Sequence, residues 1–426
     1  MYLLLAFIPF LVMGLPIAFV IGLTSLFFFL IKDIPLVILV NRMFDGVDSF
    51  ILLTIPLFIL AGNIMNTGGM TDRLIRFSKL LIGRTRGGLA LVNIVASMFF
   101  AGITGAAVAD TAAIGSILIP AMNKEGYDSD FSGAVTATSS TMGPIIPPSI
   151  PMIIYGVISG CSIGALFLAG IVPGILLGIF QMILAYSISR KRNYPRGEKR
   201  SPKELWRGLK DAGLSMMTPV IILGGILSGI FTVTEAAAVA VFYTLFVSAF
   251  IYRTLKLSQL PRIFINAATT SSVVILIISI STCFGWILAT ERAPQIFSSF
   301  ISNLTSNPLL ALLLINLLLL FIGTFLETTA SLYILTPILL PLVKMLGIDL
   351  IHFGAIMILN LVIGLTTPPL GVCLFVASSI SKDSVEKLSK AILPFIGISI
   401  IVLLITTYCP KLIMFLPHLY LKTTGG

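Results

Sequence analysis

Apolar residues run along this chain in long unbroken blocks, without the alternation of a strand or the one-sided stripe of a surface helix. Blocks of 18 or more residues fall at 87–109, 131–189, 212–234, 263–290, 293–326, 350–381 and 391–410. Each is long enough to cross about 30 Å of hydrocarbon as a helix. Spans are predicted near 1–12, 13–31, 42–68, 128–159, 162–189, 212–231, 234–252, 263–289, 350–380 and 391–417, about ten in all, several of them broken. The opening MYLLLAFIPFLVMG lacks the basic flank of a cleavable signal and is read as part of the first span.

The polar positions inside the blocks carry more information than the apolar ones. Phe131 to Ser189 contains no Asp, Glu, Lys or Arg, yet residues 138–151 read TSSTMGPIIPPSIP, rich in hydroxyls and helix-breaking prolines. A shift of 221 residues aligns 100–148 with 321–369 at thirteen identities, seven of them Gly or Pro. GYDSDFSGA (126–134) falls on GIDLIHFGA (347–355), Pro120 on Pro341, and Gly143, Pro147 and Pro148 on Gly364, Pro368 and Pro369. Matched Gly and Pro encode matched backbone breaks, so the chain is read as a repeat.

Composition agrees with the pattern. The 426 residues are 57% hydrophobic and only 10% charged, with mean hydropathy +1.08, where a soluble protein would carry about 25% charged residues. The formal charge of +10 is no nucleic-acid signal, because much of it lies in Arg190–Asp211, with nine Lys or Arg against three acids. A second cluster is Arg73, Arg76, Lys79, Arg84 and Arg86. Short basic loops mark the cytoplasmic side, with weak attraction to anionic lipid. The counterparts of the basic stretches 73–86 and 381–390 are 294–307 and 160–169, which are uncharged, so equivalent loops face opposite sides and the repeat is inverted. The expected architecture is an all-α polytopic membrane protein. Its parts are a first repeat (1–189), a basic cytoplasmic linker (190–211) and a second repeat (212–426).

Two apolar segments, 89–122 and 310–343, begin and end beside loops that must share one side. They are read as re-entrant helical hairpins, which are allowed only where protein or a water-filled cavity covers the turn. Proline-broken helices in inverted repeats point to the binding site of a secondary transporter. Unwound carbonyls together with Thr138, Ser139, Ser140 and Thr141, or with Asn360, Thr366 and Thr367, offer the hard oxygen ligands of Na⁺. Exposed helix N-termini at the breaks favour an anionic substrate. The competing reading is a pair of proline kinks padded with small residues for packing.

The intramembrane carboxylates Asp110 and Glu327 are functional candidates by location, or else structural hydrogen-bond partners of a neighbouring hairpin. Glu235 in Thr232-Val-Thr-Glu235 fits a capping box. Arg292 ends a span, where it either snorkels to the interface or meets a substrate carboxylate. His352 and His418 lack any partner signature for catalysis or metal binding, and Cys161, Cys283, Cys373 and Cys409 lack metal or redox spacing. A channel would need a continuous polar file, and an intramembrane aspartyl protease would need a paired-aspartate motif. A purely structural scaffold fits poorly with conspicuous helix breaks, which cost stability.

AGITGAAVADTAAIGSILIPAM, GYDSDFSGAVTATSSTMGPIIPPSIPMIIYG, GIFTVTEAAAVAVFYTL and the stretch from GTFLETTASLYILTPILLPLVKMLGIDL to GLTTPPLGVCLFVAS resemble the large membrane subunit of TRAP (tripartite ATP-independent periplasmic) transporters. The resemblance covers essentially the whole chain. It implies a Na⁺-driven importer of small organic anions, of sialic acid or C4-dicarboxylate type, with elevator-type alternating access in the bacterial inner membrane. The implied partners are a small four-helix membrane subunit, expected as a separate chain, and a periplasmic substrate-binding protein. Two sodium sites are expected. The first would draw on Gly102, Thr104, Gly105, Asp110, Thr138, Ser139, Thr141 and Gly143. The second would draw on Gly323, Thr324, Glu327, Gly364, Thr366 and Thr367. Ser140, Pro147, Pro148, Arg292, Asn360, Pro368 and Pro369 are expected to border the substrate. Two departures stand out: family members often carry Ser-Gly-Ser where this chain has Thr104-Gly105-Ala106, and often Asp at Glu327. Ala106 is therefore not expected to be a side-chain ligand.

Overall fold

The structure, a computed structural model, describes residues 2–83, 85–197 and 201–424. Met1 of the first span, Arg84 of the first basic cluster, residues 198–200 of the linker and the final two glycines of the second repeat lie outside the described residues.

The first half opens with α1 (Tyr2–Val12), α2 (Ile17–Ile31), α3 (Leu36–Asp45), α4 (Thr54–Thr67) and α5 (Met70–Ile82). A hairpin of α6 (Gly88–Thr104) and α7 (Ala107–Lys124) follows, then a broken helix, α8 (Ser129–Ser139) and α9 (Ile150–Ser159), and then α10 (Ile163–Lys191). The second half runs α11 (Pro202–Leu227), α12 (Val233–Phe246), α13 (Leu260–Thr290) and α14 (Ala293–Leu304). Its hairpin is α15 (Pro308–Gly323) and α16 (Thr328–Met345), its broken helix α17 (Leu350–Gly364) and α18 (Val372–Ser381). It closes with α19 (Val385–Tyr408), α20 (Pro410–Ile413) and α21 (Phe415–Thr424). Adding 221 to the bounds of α5–α10 lands on those of α14–α19 to within four residues.

Among the described residues, seven helices are long and apolar enough to cross a membrane unaided. One of them, α16, is a hairpin arm. The other crossings are shared by shorter apolar helices, broken or paired. Both breaks predicted from the prolines are present, and the Pro147–Pro148 and Pro368–Pro369 peptides are cis.

Three local expectations need correction. The span placed at 42–68 is divided, because the polar run from Asp45 to Ser49 ends α3 and a 3₁₀ turn (Phe50–Leu53) leads into α4. The basic stretch 73–86 and its uncharged counterpart 294–307 are largely helical, as α5 and α14. In α5 Leu74, Ile75, Phe77 and Ser78 are buried, while Asp72, Arg76 and Lys79 are exposed. That 3.6-residue period lies beneath the charge in the sequence. The linker is also shorter than 190–211, because Ser201 and Glu204 form a capping box with Pro202 at the first helical position, starting α11. Thr232 and Glu235 form the expected capping box of α12.

Direct contacts gather the basic loops at one end. Arg73 pairs with Asp211 and lies 3.8 Å over the ring of Tyr252, whose hydroxyl donates to the Asp211 carbonyl. The Gly87 amide donates to the Pro195 carbonyl, Lys79 pairs with Glu125 at 3.6 Å, and Arg192 pairs with Asp128 at 2.7 Å. Ser129 donates to Asp383, which also holds Lys387 at 2.8 Å. Of the 27 Lys and Arg, 21 lie in 73–86, 124, 190–210, 253–262 and 382–390, so this end is the cytoplasmic one. Hairpin α6–α7 is rooted there. At the far end of the broken α8–α9 helix, the Tyr155 hydroxyl donates to the carbonyl of Leu350, just beyond the root of α15–α16. The two hairpins are thus rooted at opposite ends, and the repeat is inverted.

Each broken helix also packs across the repeat boundary. α18 lies along α7 and α9 along α16, so hairpins and breaks form one interlocked body.

Candidate functional site

The tip of the first hairpin is built for close approach to the first break. Gly105 has φ +60, a left-handed conformation that glycine adopts freely. A Cβ there would stand 2.8 Å from the Pro148 carbonyl oxygen and 3.0 Å from the Ile150 nitrogen. One on Gly102 would stand 3.4 Å from the Pro147 oxygen. Thr104 donates its hydroxyl proton to Oδ1 of Asp110, in the first turn of α7. The second oxygen, Oδ2, is buried without a hydrogen-bond partner. It faces Gly143 in the break, where a Cβ would come within 2.7 Å of it. A buried anionic oxygen with no donor is costly unless a cation or proton meets it.

The hydroxyl ladder before the break is engaged in its own helix. Thr138 donates to Ala134 O, Ser140 to Thr136 O at 2.7 Å, and Thr141 to Thr138 O at 2.6 Å. Ser139 shares a 2.8 Å hydrogen bond with Ser97 of α6, and Gln181 of α10 donates to Thr138 O. Side chains of the protein therefore already cover part of the carbonyl row that the sequence suggested was bare. The acceptor oxygens left without a partner here are Oδ2 of Asp110 and Oε1 of Gln181, and of the two only the Asp110 carboxylate can carry charge.

The second break differs in chemistry. Gly323, at the tip of the second hairpin, meets this break directly: a Cβ on it would lie 3.2 Å from the Leu361 carbonyl oxygen and 3.4 Å from the Gly364 α carbon. Thr324 donates to Phe321 O, and Thr366 and Thr367 both donate to Ile363 O. Asn360 donates to Asn316 of α15 at 2.9 Å, leaving its own buried carbonyl oxygen without a partner. Glu327 is the N-cap of α16, accepting from the Thr329 amide at 2.7 Å, the Ala330 amide at 3.3 Å and the Thr329 hydroxyl at 3.1 Å. It holds the tip together. At the 221-residue offset Glu327 matches Ala106, and Asp110 matches Ser331, so the two carboxylates are not repeat partners.

Both hairpins meet at one cavity of about 240 Å³. Its wall includes Thr104–Ala109 from the first tip, Glu327–Thr329 from the second, and Pro144, Ile150, Pro151 and Leu365 from the breaks. α7 begins here at Ala106, which supplies no side-chain cap, so the partial positive charge of that helix end faces the cavity. No Lys or Arg is among the lining residues.

Of the residues assigned to sodium, Thr104, Gly105 and Glu327 also border this cavity. None of those assigned to substrate does. Ser140 and Asn360 are buried behind it, Pro147 and Pro148 are buried under the first tip, and Pro368 and Pro369 are half-buried and exposed. Arg292 sits exposed at the α13–α14 corner in a left-handed conformation, away from the cavity. The snorkelling reading accounts for it. The cavity also has a wall that the sequence does not mark out: Asn63 and Asn66 of α4 and Thr270 of α13. Amides within an apolar span were the available signal.

Residues 4–412 match the family described as "Tripartite ATP-independent periplasmic transporter, DctM component". The chain is 44% identical over 409 residues to the sialic acid TRAP transporter large permease protein SiaM of Vibrio cholerae, covering 96% of each. It is 36% identical over 421 residues to the C4-dicarboxylate TRAP transporter large permease protein DctM of Rhodobacter capsulatus, covering 95% of this chain and 96% of that one. Among solved structures, the Alcanivorax borkumensis YdaH transporter superposes with a TM-score of 0.62 over 100% of this chain and 99% of that one. At 13% identity it shows the fold alone. The chain therefore belongs to the DctM component of the TRAP transporters: it is a large permease subunit, a multi-pass protein of the bacterial inner membrane, and no enzyme.

Proposed function

We propose that this subunit imports small organic anions, of sialic acid or C4-dicarboxylate type, with Na⁺ as coupling ion. The observation that carries the reading is the single cavity bordered by both hairpin tips and both helix breaks. An anionic group there meets the uncapped start of α7 with no basic side chain at hand. A coupling cation supplies the missing positive charge, and the orphaned Asp110 oxygen, beside Thr104 and Gly143, fits a hard cation. Na⁺ and anion then bind with mutual support, each raising the other's affinity by the same factor.

Alternating access proceeds by an elevator movement in which the interlocked hairpins and breaks slide as one body past α4 and α13. Asn63, Asn66 and Thr270 stand on the stationary wall, so they touch the substrate on one side of the cycle only. A periplasmic binding protein delivers the substrate, and a small four-helix subunit completes the membrane complex. The names of the relatives, a sialic acid and a C4-dicarboxylate permease, support this substrate class.

Proteoliposomes holding this chain and its small subunit, with loaded binding protein outside, test the proposal. Saturable uptake that requires inward-directed Na⁺ is expected, with little uptake by the chain alone. Robust uptake by the chain alone in the absence of Na⁺ would overturn it.

A further inference from the structure

We infer a binding site for one anionic phospholipid at the non-cytoplasmic end, at the root of the second hairpin. A cavity of about 640 Å³ opens there between the start of α15, the α16–α17 corner and the terminal helices α20 and α21. That volume falls in the roughly 300–1,000 Å³ range of small-molecule sites. Its walls are apolar, with Leu309, Leu312, Ile348, Met414 and Phe415 among them.

The cavity carries positive charge on a face that has little. Only six Lys and Arg belong to this end, and two of them, Lys411 and Lys422, line the same cavity. His418 stands beside them. Both lysines are exposed and neither has an ion pair among the described residues. The only carboxylate in the lining, Asp349, is occupied as the N-cap of α17, accepting from the Ile351 and His352 amides at 2.7 and 3.1 Å.

The site also lies at the right depth. α19 ends at Tyr408, whose hydroxyl donates to the Leu309 carbonyl at 3.2 Å, the level at which amphipathic rings anchor a span. The arrangement suits a headgroup phosphate between the two ammonium groups and an acyl chain along the apolar wall. A free anion has no use for that wall, and a neutral chain has none for the lysines. Such a lipid would brace the hairpin at its root, far from the transported anion and independently of the cation proposal.

The test uses the full chain purified in mild detergent, as wild type, as K411Q/K422Q, and as the cytoplasmic control K203Q/K210Q. Phosphatidylglycerol, phosphatidylethanolamine with the same chains, and inorganic phosphate are titrated while native mass spectrometry counts bound lipid. We expect one tightly held phosphatidylglycerol per chain in wild type and control. In K411Q/K422Q its binding should weaken on the order of 30-fold, from roughly 1 kcal/mol per lysine. Equal binding by wild type and K411Q/K422Q, equal affinity for the two lipids, or displacement of the lipid by phosphate would overturn the inference. Counting bound lipid keeps the result independent of any change in stability.

Discussion

The unpartnered Oδ2 of Asp110 lies against Gly143, at the point where α8 has ended and α9 has not begun. A carboxylate on a hairpin arm and a glycine in a helix break, 33 residues apart in sequence, thus enclose one polar spot inside the protein. The absence of a side chain on Gly143 is what lets the break approach this oxygen so closely.

Adding that side chain should close the spot. In Gly143→Ala the new methyl would stand 2.7 Å from Oδ2, closer than carbon and oxygen tolerate. We expect a folded, inserted protein whose half-saturating Na⁺ concentration for uptake rises about tenfold or more, equivalent to at least ~1.4 kcal/mol. An unchanged Na⁺ dependence would place the cation elsewhere.

Glu327 should behave as a cap. Glu327→Ala removes three accepted hydrogen bonds at the start of α16 and should cost about 1 kcal/mol of stability. Its half-saturating Na⁺ should stay near wild type while the thermal midpoint falls. Glu327→Gln keeps an acceptor oxygen and should recover most of the midpoint. A large Na⁺ shift with an unchanged midpoint would make Glu327 a ligand instead.

The repeat, the two breaks and both hairpins were readable in the sequence because Gly and Pro encode backbone geometry directly. Pro120, Gly143 and Pro147 have counterparts at one offset, and no packing information was needed to see it. Side-chain roles were less readable. Asp110 and Glu327 looked alike as intramembrane acids, and only the observed caps separate an orphaned oxygen from a fully used one. The wall formed by Asn63, Asn66 and Thr270 depends on how α4 and α13 lie against the hairpins, which no local pattern records. Helix α5 is masked in the sequence because its charges, on the exposed face, interrupt the apolar pattern of its buried face.

Substrate contact by that wall predicts a separable effect. Asn63→Ala and Asn66→Ala should each weaken substrate half-saturation by roughly tenfold if one hydrogen bond is lost. Na⁺-dependent thermal stabilisation measured without substrate should be unchanged. Loss of both together would point to a folding defect.

The inverted arrangement predicts opposite labelling. In a background lacking native cysteines, a cysteine at Arg207 should react with a membrane-impermeant thiol reagent only from the cytoplasmic side. One at Thr305 should react only from the periplasmic side. Reaction of both from the same side would contradict the inverted repeat.

The linker dock has a pH signature. The hydrogen bond from Tyr194, and then that from Arg192, hold Asp128 below the usual carboxylate range against the opposing effect of partial burial. A depressed acid contributes stability above its unfolded value near 3.9 and loses it as pH falls through the lower folded value. The dock should therefore be intact from neutrality to about pH 4 and weaken below it. Because Asp128 is half-exposed, Asp128→Asn should cost no more than about 1 kcal/mol at pH 7. The difference between Asp128→Asn and wild type should vanish in acid. A constant difference at all pH values would assign the effect to packing.

The most direct test of the cation site needs neither partner nor substrate. A ligand that binds only the folded state raises stability by RT ln(1 + [L]/Kd). Wild-type protein in detergent should show a thermal midpoint that climbs with added Na⁺ and not with equal K⁺. Asp110→Asn keeps the shape and an acceptor for Thr104 but lacks the charge, and its midpoint should climb much less with Na⁺ than that of wild type. A midpoint that climbs with Na⁺ in Asp110→Asn as it does in wild type would contradict the assignment of this carboxylate to the coupling ion.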